Sequence, residues 1–285
     1  MPTPGNYHTH NRWCDGKGEI ADVIAAAIAA RLSQIGITSH APVPFPTAYS
    51  MPLANLPAYR AEVLRQRDIH RDRIDVLLGL ELDAMPDLLA FNQANILTHH
   101  FDYIVGSVHF IRRADGRLWP LDASDDLSAQ VLARRIRRRH PPPQRSLLPR
   151  SRQPRHLPRR HHGRPIPIAA CASGTAQRRA LPSTKPSPGT APADDTLHAL
   201  AKTDRIIELS TGGWRRGLEE PWPSLWVIRR CRELGIRMTL NSDSHHPDQI
   251  AYDYDRALDV LRATGHRSIA RFNPSTQQGE PTPLE

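Results

Sequence analysis

Eight residues of the kinds that bind divalent metals stand at or near the ends of short apolar runs. His8-Thr9-His10 opens the chain behind Asn6-Tyr7, and Asp15 follows in the next loop. His40 closes Ile35-Gly36-Ile37-Thr38-Ser39, and Glu81 closes Leu77-Leu78-Gly79-Leu80. His109 closes Tyr103-Ile104-Val105-Gly106-Ser107-Val108. Asp243 and His245 end Met238-Thr239-Leu240-Asn241-Ser242-Asp243-Ser244-His245. Ends of parallel strands converge on one side of a sheet or barrel. Imidazoles and carboxylates gathered there suit Zn, Mn or Fe and imply hydrolysis at a multinuclear metal centre.

Taken singly, the motifs differ in weight. His8 and His10 alternate on a strand and point the same way, although His-x-His alone is a weak signal. A lone His after a strand is often structural, so His40 is a ligand candidate chiefly because it stands at a strand end. Glu81 ends an otherwise apolar run, where a buried carboxylate needs a metal or another partner. Asp83 has the same strand parity and is expected to hold a ligand rather than to be one. Asp243 and His245 form the strongest single motif; His246, one position out of phase, is expected to point away. The string Ser210-Thr211-Gly212-Gly213-Trp214-Arg215-Arg216 offers amides, hydroxyls and guanidinium groups suited to a phosphate. The competing reading, a glycine turn with solvated arginines, is preferred for Arg216. Cys14 reads as a free thiol beside the site, and His70, His99, His100, His198 and His266 read as surface residues.

The elements that must position these groups alternate. Helices are predicted over Glu19–Leu32, Leu56–Arg71, Asp87–Leu97, Asp195–Ala201, Pro223–Leu234 (capped by Gly235) and Gln249–Thr264. Strands are predicted over Ile35–Thr38, Ile74–Leu80, Tyr103–Val105, Ile206–Leu209, Ile236–Leu240 and Ser268–Phe272. A Pro-rich loop spans Pro42–Pro57. Such alternation predicts an α/β fold with a parallel sheet or barrel, as a single domain over 1–285. The 285 residues match the size of one α/β barrel.

The formal net charge of +9 misleads. Residues 127–193 hold fourteen Arg and one Lys, no Asp or Glu, and twelve of the 27 Pro, leaving the rest of the chain acidic. Composition reads 134–193 as disordered and foreign to the barrel, apart from the short apolar patch 166–170. It is a basic segment for nucleic acid or an acidic partner, a functionless insertion, or the product of a reading-frame slip. We favour the slip: such a slip in GC-rich DNA yields Arg, Pro, Ala, Ser and His, and ordinary sequence stops near Leu132 and resumes near Thr196. No run is long and apolar enough to predict a membrane span, and no signal peptide is read. Three scattered cysteines argue for the cytoplasm over a disulfide framework.

The ordered set His8-Thr9-His10, Asp15, Thr38-Ser39-His40, Gly79-Leu80-Glu81, Gly106-Ser107-Val108-His109, Ser210-Thr211-Gly212 and Ser242-Asp243-Ser244-His245 resembles the PHP (polymerase and histidinol phosphatase) superfamily. The Pro-rich loop, Gly-Ser-Val-His-Phe and Ser-Thr-Gly-Gly-Trp-Arg look most like its monofunctional histidinol-phosphatase branch. The resemblance covers about 1–132 and 196–272. It implies a distorted (β/α)7, TIM-like barrel with two or three divalent metals (Zn, Mn or Fe). The carried-over ligands are His8, His10, Asp15, His40, Glu81, His109, Asp243 and His245. It implies hydrolysis of a small phosphomonoester, L-histidinol phosphate, in histidine biosynthesis. Arg215 matches a phosphate-contacting arginine, and Asp243 is the candidate for proton transfer. Two alternatives stand beside this: a PHP phosphoesterase acting on nucleotides or DNA ends, and an inactive barrel with a basic nucleic-acid-binding segment. The sequence departs from the family twice. Ser39 replaces the usual Asp, and the Gly-His-x-Asp motif of a middle strand is missing from 134–193, where His156, His161 and His162 lack strand context.

Overall fold

The computed structural model describes residues 4–112, 115–120, 166–169, 191–276 and 278–284. The first helix, α1 (Ile20–Ala29), starts where Glu19 and Asp22 form a reciprocal capping box that satisfies free amides. It buries Ile20, Val23, Ile24 and Ala27 on one face. The chain then turns through Arg31, in the left-handed region, into β1 (Gln34–Ile37). Next come α2 (Leu56–His70), β2 (Asp75–Leu78), β3 (Glu81–Asp83), α3 (Leu89–Asn95) and β4 (Tyr103–Ser107). A ribbon of β5 (Phe110–Arg112) and β6 (Leu118–Pro120) precedes β7 (Ile166–Ala169). The remainder is α4 (Ala191–Leu200), β8 (Ile206–Ser210), α5 (Gly212–Arg215), α6 (Leu225–Glu233), β9 (Met238–Asn241), α7 (Tyr254–Ala263), β10 (Ser268–Asn273) and β11 (Gln278–Pro283).

The strands that carry the candidate site all pair in parallel. One sheet runs in the order β3-β4-β7-β8-β9, and a second pairs β1 with β2. A parallel bridge from His40 to Glu81 relates the two. The N-terminal stretch lies between β1 and the end of β9: Asn6 bridges Ile35 and Thr9 bridges Ser244. Its backbone bonds include Gly36 N–H to Asn6 O at 2.7 Å and His10 N–H to Ser244 O at 2.7 Å. Because every pairing is parallel, the strand ends bearing His8, His40, Glu81, His109 and Asp243 open to one side.

The strands sit close together because small residues face a large one. A Cβ at Gly36 or Gly79 would fall on the Tyr103 phenol, which is fully buried and donates to Tyr7 O at 2.8 Å. Helices cover the sheets through apolar contacts such as Tyr59 and Val63 of α2 and Ile228 of α6 within one continuous core.

Several element boundaries shift from expectation for local reasons. The last predicted helix begins at Tyr254 rather than Gln249, because Ala251 and Asp253 take left-handed φ angles of 56° and 51°. Gly235 has a φ of 71° and ends α6 as expected. The β5–β6 ribbon and β11 were not expected. The apolar patch set apart within the Arg/Pro-rich stretch supplies a strand. The short apolar run Ile166–Ala169 pairs with β4 on one side and β8 on the other. Apart from that strand and residues 191–193 at the start of α4, the stretch 134–193 lies outside the described residues. So do the readings of it as disordered, basic or frame-shifted, and so do His156, His161 and His162. No described helix is long and apolar enough to cross a membrane.

Candidate metal centre

Alternation along the first stave turns His8 and His10 to the same side, and both are almost wholly buried. The parallel bridge from His40 brings Glu81 up against them. Glu81 Oε2 lies 3.2 Å from His8 Nε2, 3.3 Å from His10 Nε2 and 2.8 Å from His40 Nδ1. Its other oxygen accepts from Ser107 Oγ at 2.5 Å and lies 3.4 Å from His109 Nε2. Asp243 takes a left-handed φ of 49°, which turns its carboxylate back over the strand end. Its Oδ1 lies 3.5 Å from His8 Nε2 and 3.4 Å from His10 Nε2. Asp15 reaches in from the loop, 3.6 Å from His40 Nε2 and 3.5 Å from His245 Nε2.

All eight sequence candidates therefore meet, in three overlapping groups. These are His10, Asp15, His40 and His245; His8, His10 and Asp243; and His40, Glu81 and His109, each with ligand atoms within 4.8 Å of one another. Four of these buried atoms, His8 Nε2, His10 Nε2, His40 Nδ1 and Glu81 Oε2, have no hydrogen-bond partner among the described residues. Buried polar atoms are normally satisfied. Lone pairs that crowd together and point at one another, rather than at protein donors, are what a set of divalent cations requires. The residues present thus fit a metal cluster.

A sequence model of the PHP domain matches residues 6–212, well over half of the chain. The chain belongs to the PHP family. Among curated relatives of this PHP chain, a protein of Deinococcus radiodurans named a probable histidinol-phosphatase is 27% identical over 92% of this chain and 94% of its own length. A Schizosaccharomyces pombe protein of the same name is 23% identical over 94% of this chain and 89% of its own length. Among solved structures, the histidinol phosphate phosphatase of Lactococcus lactis, crystallised with zinc, L-histidinol and phosphate, superposes with a TM-score of 0.65. It is 17% identical, over 98% of this chain and 99% of that one. A histidinol phosphatase structure from Listeria monocytogenes gives 0.63 at 18% identity, over 88% of this chain and 99% of that one. At these identities the structural likeness establishes the fold.

Electrostatics in the PHP centre follow from the crowding. Burial opposes protonation of His8, but Glu208, Glu81 and Asp243 outweigh it and raise its pKa well above the usual imidazole value. His109 is raised against burial in the same way by Glu81 and Asp83. Burial opposes the anions, yet His40, His8 and His109 hold Glu81 well below the usual carboxylate range. Asp243 is likewise depressed, by His8, His10 and His245. Asp15 falls to about 2 against its partial burial, through His245, His40 and His10. The carboxylates are thus ionised, and protons on His8 and His109 balance them where cations would.

Around the cluster, expectations meet mixed outcomes. Asp83 buttresses His109, with Oδ1 at 3.0 Å from Nδ1, as its parity suggested. His246 points away and accepts from its own turn at Asp248 N. Cys14 Sγ lies 3.4 Å from His10 Nδ1 and is unpaired. Ser39 Oγ donates to Asn11 Oδ1 at 3.2 Å. Arg215 is half-buried and donates to the carbonyl of Asp243, while its Nε has no hydrogen-bond partner among the described residues. Burial lowers its pKa.

Arg216, read as solvated, is exposed, and its guanidinium lies over the Trp222 ring at 4.9 Å and 3.9 Å from Asp243 Oδ2. One expectation is corrected. His266, read as a surface residue, is buried, with Nε2 at 3.1 Å from Ile228 O, because it follows the tight end of α7 and packs under α6.

Three neighbours were missed. Glu208 on β8 touches His8, and its signal was a lone carboxylate inside Ile-Ile-Glu-Leu. Asn241 sits at the end of β9. Tyr49 stacks edge-on against His40 at 4.6 Å and donates to Asp83 at 3.0 Å, and nothing in the Pro-rich loop foretold it.

Proposed function

We propose that the chain is a metal-dependent phosphomonoesterase that cleaves L-histidinol phosphate to L-histidinol and phosphate. The observation that carries the reading is the meeting of eight ligand-type side chains, with orphaned lone pairs, at one end of a PHP fold. The relatives named histidinol-phosphatase, matched over nearly their whole length, supply the substrate. We propose further that the bridges of the N-terminal stretch close a (β/α)7 barrel of seven staves, with 6–10 between β1 and β9 and with β2 and β3 forming one stave.

His10, Asp15, His40 and His245 would hold one metal, His8, His10 and Asp243 a second, and His40, Glu81 and His109 a third. Zn, Mn or Fe suits these donors, two or three ions per chain. Bound there, such ions polarise phosphoryl oxygens and lower the pKa of water toward neutrality. The chain's own residues supply the rest. The Arg215 fork, fixed by the Asp243 carbonyl, binds phosphate oxygens and offsets charge that builds up on them. Asp243, held as an anion, is the group placed to take or return a proton. Burial of the cluster excludes bulk water from all but the Asp15, His109 and His245 side.

The test is phosphate release by the metal-loaded chain from L-histidinol phosphate, compared with nucleoside monophosphates. A higher kcat/KM on histidinol phosphate is expected; a preference for nucleotides would overturn the substrate assignment.

A further inference from the structure

We infer that Glu208 is a positioning residue of the metal centre: it accepts the Nδ1 proton of His8 and so fixes both the tautomer and the ring plane in which Nε2 is presented to the cluster. The inference rests on the metal-centre reading above.

Glu208 lies in the middle of β8, on the strand face it shares with Ser210, and is only 3% exposed. Both of its oxygens reach His8 Nδ1, at 3.0 and 3.1 Å. Oε2 also accepts from Asn241 Nδ2 at 2.7 Å, and Asn241 Oδ1 in turn accepts the Tyr7 amide at 2.7 Å. The carboxylate is therefore held from two sides and is anchored to the backbone of the stave that carries His8.

It sits on the wrong side of the ring to be a ligand itself. The nitrogen that faces Glu81 and Asp243 is Nε2, at 3.2 and 3.5 Å, and that nitrogen has no hydrogen-bond partner among the described residues. A neutral imidazole carries its proton on one nitrogen, and the other carries the lone pair. A carboxylate at Nδ1 selects the form with the lone pair on Nε2, orients the ring and raises its basicity. The same device recurs at His109, where Asp83 lies 3.0 Å from Nδ1 while Nε2 faces Glu81 at 3.4 Å. A buried carboxylate without partners would be strongly unfavourable, and Glu208 finds its partners in His8 and Asn241.

The experiment uses the full chain and zinc alone, titrated against a competing chelator, for the wild type, Glu208→Gln, His8→Ala and the double variant, with circular dichroism on each. Glu208→Gln should weaken zinc binding by about 10- to 100-fold with an unchanged spectrum. Because it acts through His8, adding it to His8→Ala should bring no further loss. Equal zinc binding by Glu208→Gln and wild type overturns the inference. So does a loss of full size in the His8→Ala background, which would assign Glu208 to the fold at large. If Glu208→Gln does not fold, ¹⁵N NMR of the His8 ring in the zinc-loaded wild type decides. A proton on Nδ1 supports the inference, and a bare Nδ1 overturns it. No zinc on the wild type at all overturns the metal-centre reading, and this inference with it.

Discussion

Glu81→Gln separates a metal centre from a structural ion-pair cluster, because the two predict opposite signs in different states. Glu81 is buried, and three imidazole nitrogens lie 2.8–3.3 Å from its Oε2. Gln has nearly the same volume and can still accept from Ser107 through its carbonyl oxygen, so the change removes charge and little else. At such spacing a unit charge pair is worth about 5 kcal/mol at an effective dielectric of roughly 20. The net effect of removing one partner from a buried pair is on the order of 3–5 kcal/mol after desolvation is counted. That corresponds to a loss of roughly two to four orders of magnitude in metal affinity. In the metal-free chain, at a pH above the raised values of His8 and His109, those two imidazoles lose their protons and Glu81 is left a buried anion. There the substitution should leave the melting temperature unchanged or raise it. A chelator-competition titration and a thermal melt, both followed by circular dichroism, read the two effects. Metal affinity within tenfold of wild type would refute the reasoning, and so would a lower metal-free melting temperature once His8 and His109 are deprotonated.

Arg215→Ala should lower kcat/KM by about 10²–10³ with metal content unchanged, and Arg215→Lys should recover only part of it, since Lys lacks the planar fork; steady-state kinetics with metal analysis checks both. In the metal-free chain the depressed pKa values of Glu81, Asp243 and Asp15 mean that the unfolded state binds more protons at low pH, so their contribution is present above about pH 4.5 and lost on acidification. His8 and His109 have raised values, so theirs is present below about pH 6.5 and lost as pH rises. Urea midpoints of the stripped chain should therefore peak between these limits, and a steady rise through pH 8 would contradict the assignment. Gly36→Ala should destabilise by roughly 2–6 kcal/mol, from overpacking plus the lost Tyr103–Tyr7 bond, because Tyr103 has no room to retreat; a urea melt within 1 kcal/mol of wild type would refute the close packing of staves.

The site was largely legible in the sequence because its residues interrupt apolar runs at strand ends, where solvation cannot explain them. His8, His40, Glu81 and His109 each broke such a pattern, and strand parity set Asp83 on the side of Glu81 in a supporting role, which the structure shows to be at His109. What was not legible depends on tertiary neighbours. Glu208 lies 200 residues from His8, and only the fold, which sets β8 against β9 and the end of β9 against the N-terminal stretch, brings them together. Tyr49 arrives from a loop with no periodicity to read. His266 resembles any helix-terminal histidine until α6 covers it. Arg216 needed the Trp222 ring to show where its guanidinium rests. The left-handed residues Ala251 and Asp253 delay α7 although neither is Gly or Asn, so propensity alone ran the helix too early. Ile166–Ala169 was visible only as a brief apolar patch, and its two strand neighbours make it part of the sheet.

The most direct test strips the chain of metal, restores zinc or manganese in counted steps, and measures phosphate release from L-histidinol phosphate on the same samples. The account predicts no turnover in the stripped chain and a rise that levels off at two or three ions per chain. Full turnover without metal, or none with the sites filled, would contradict it.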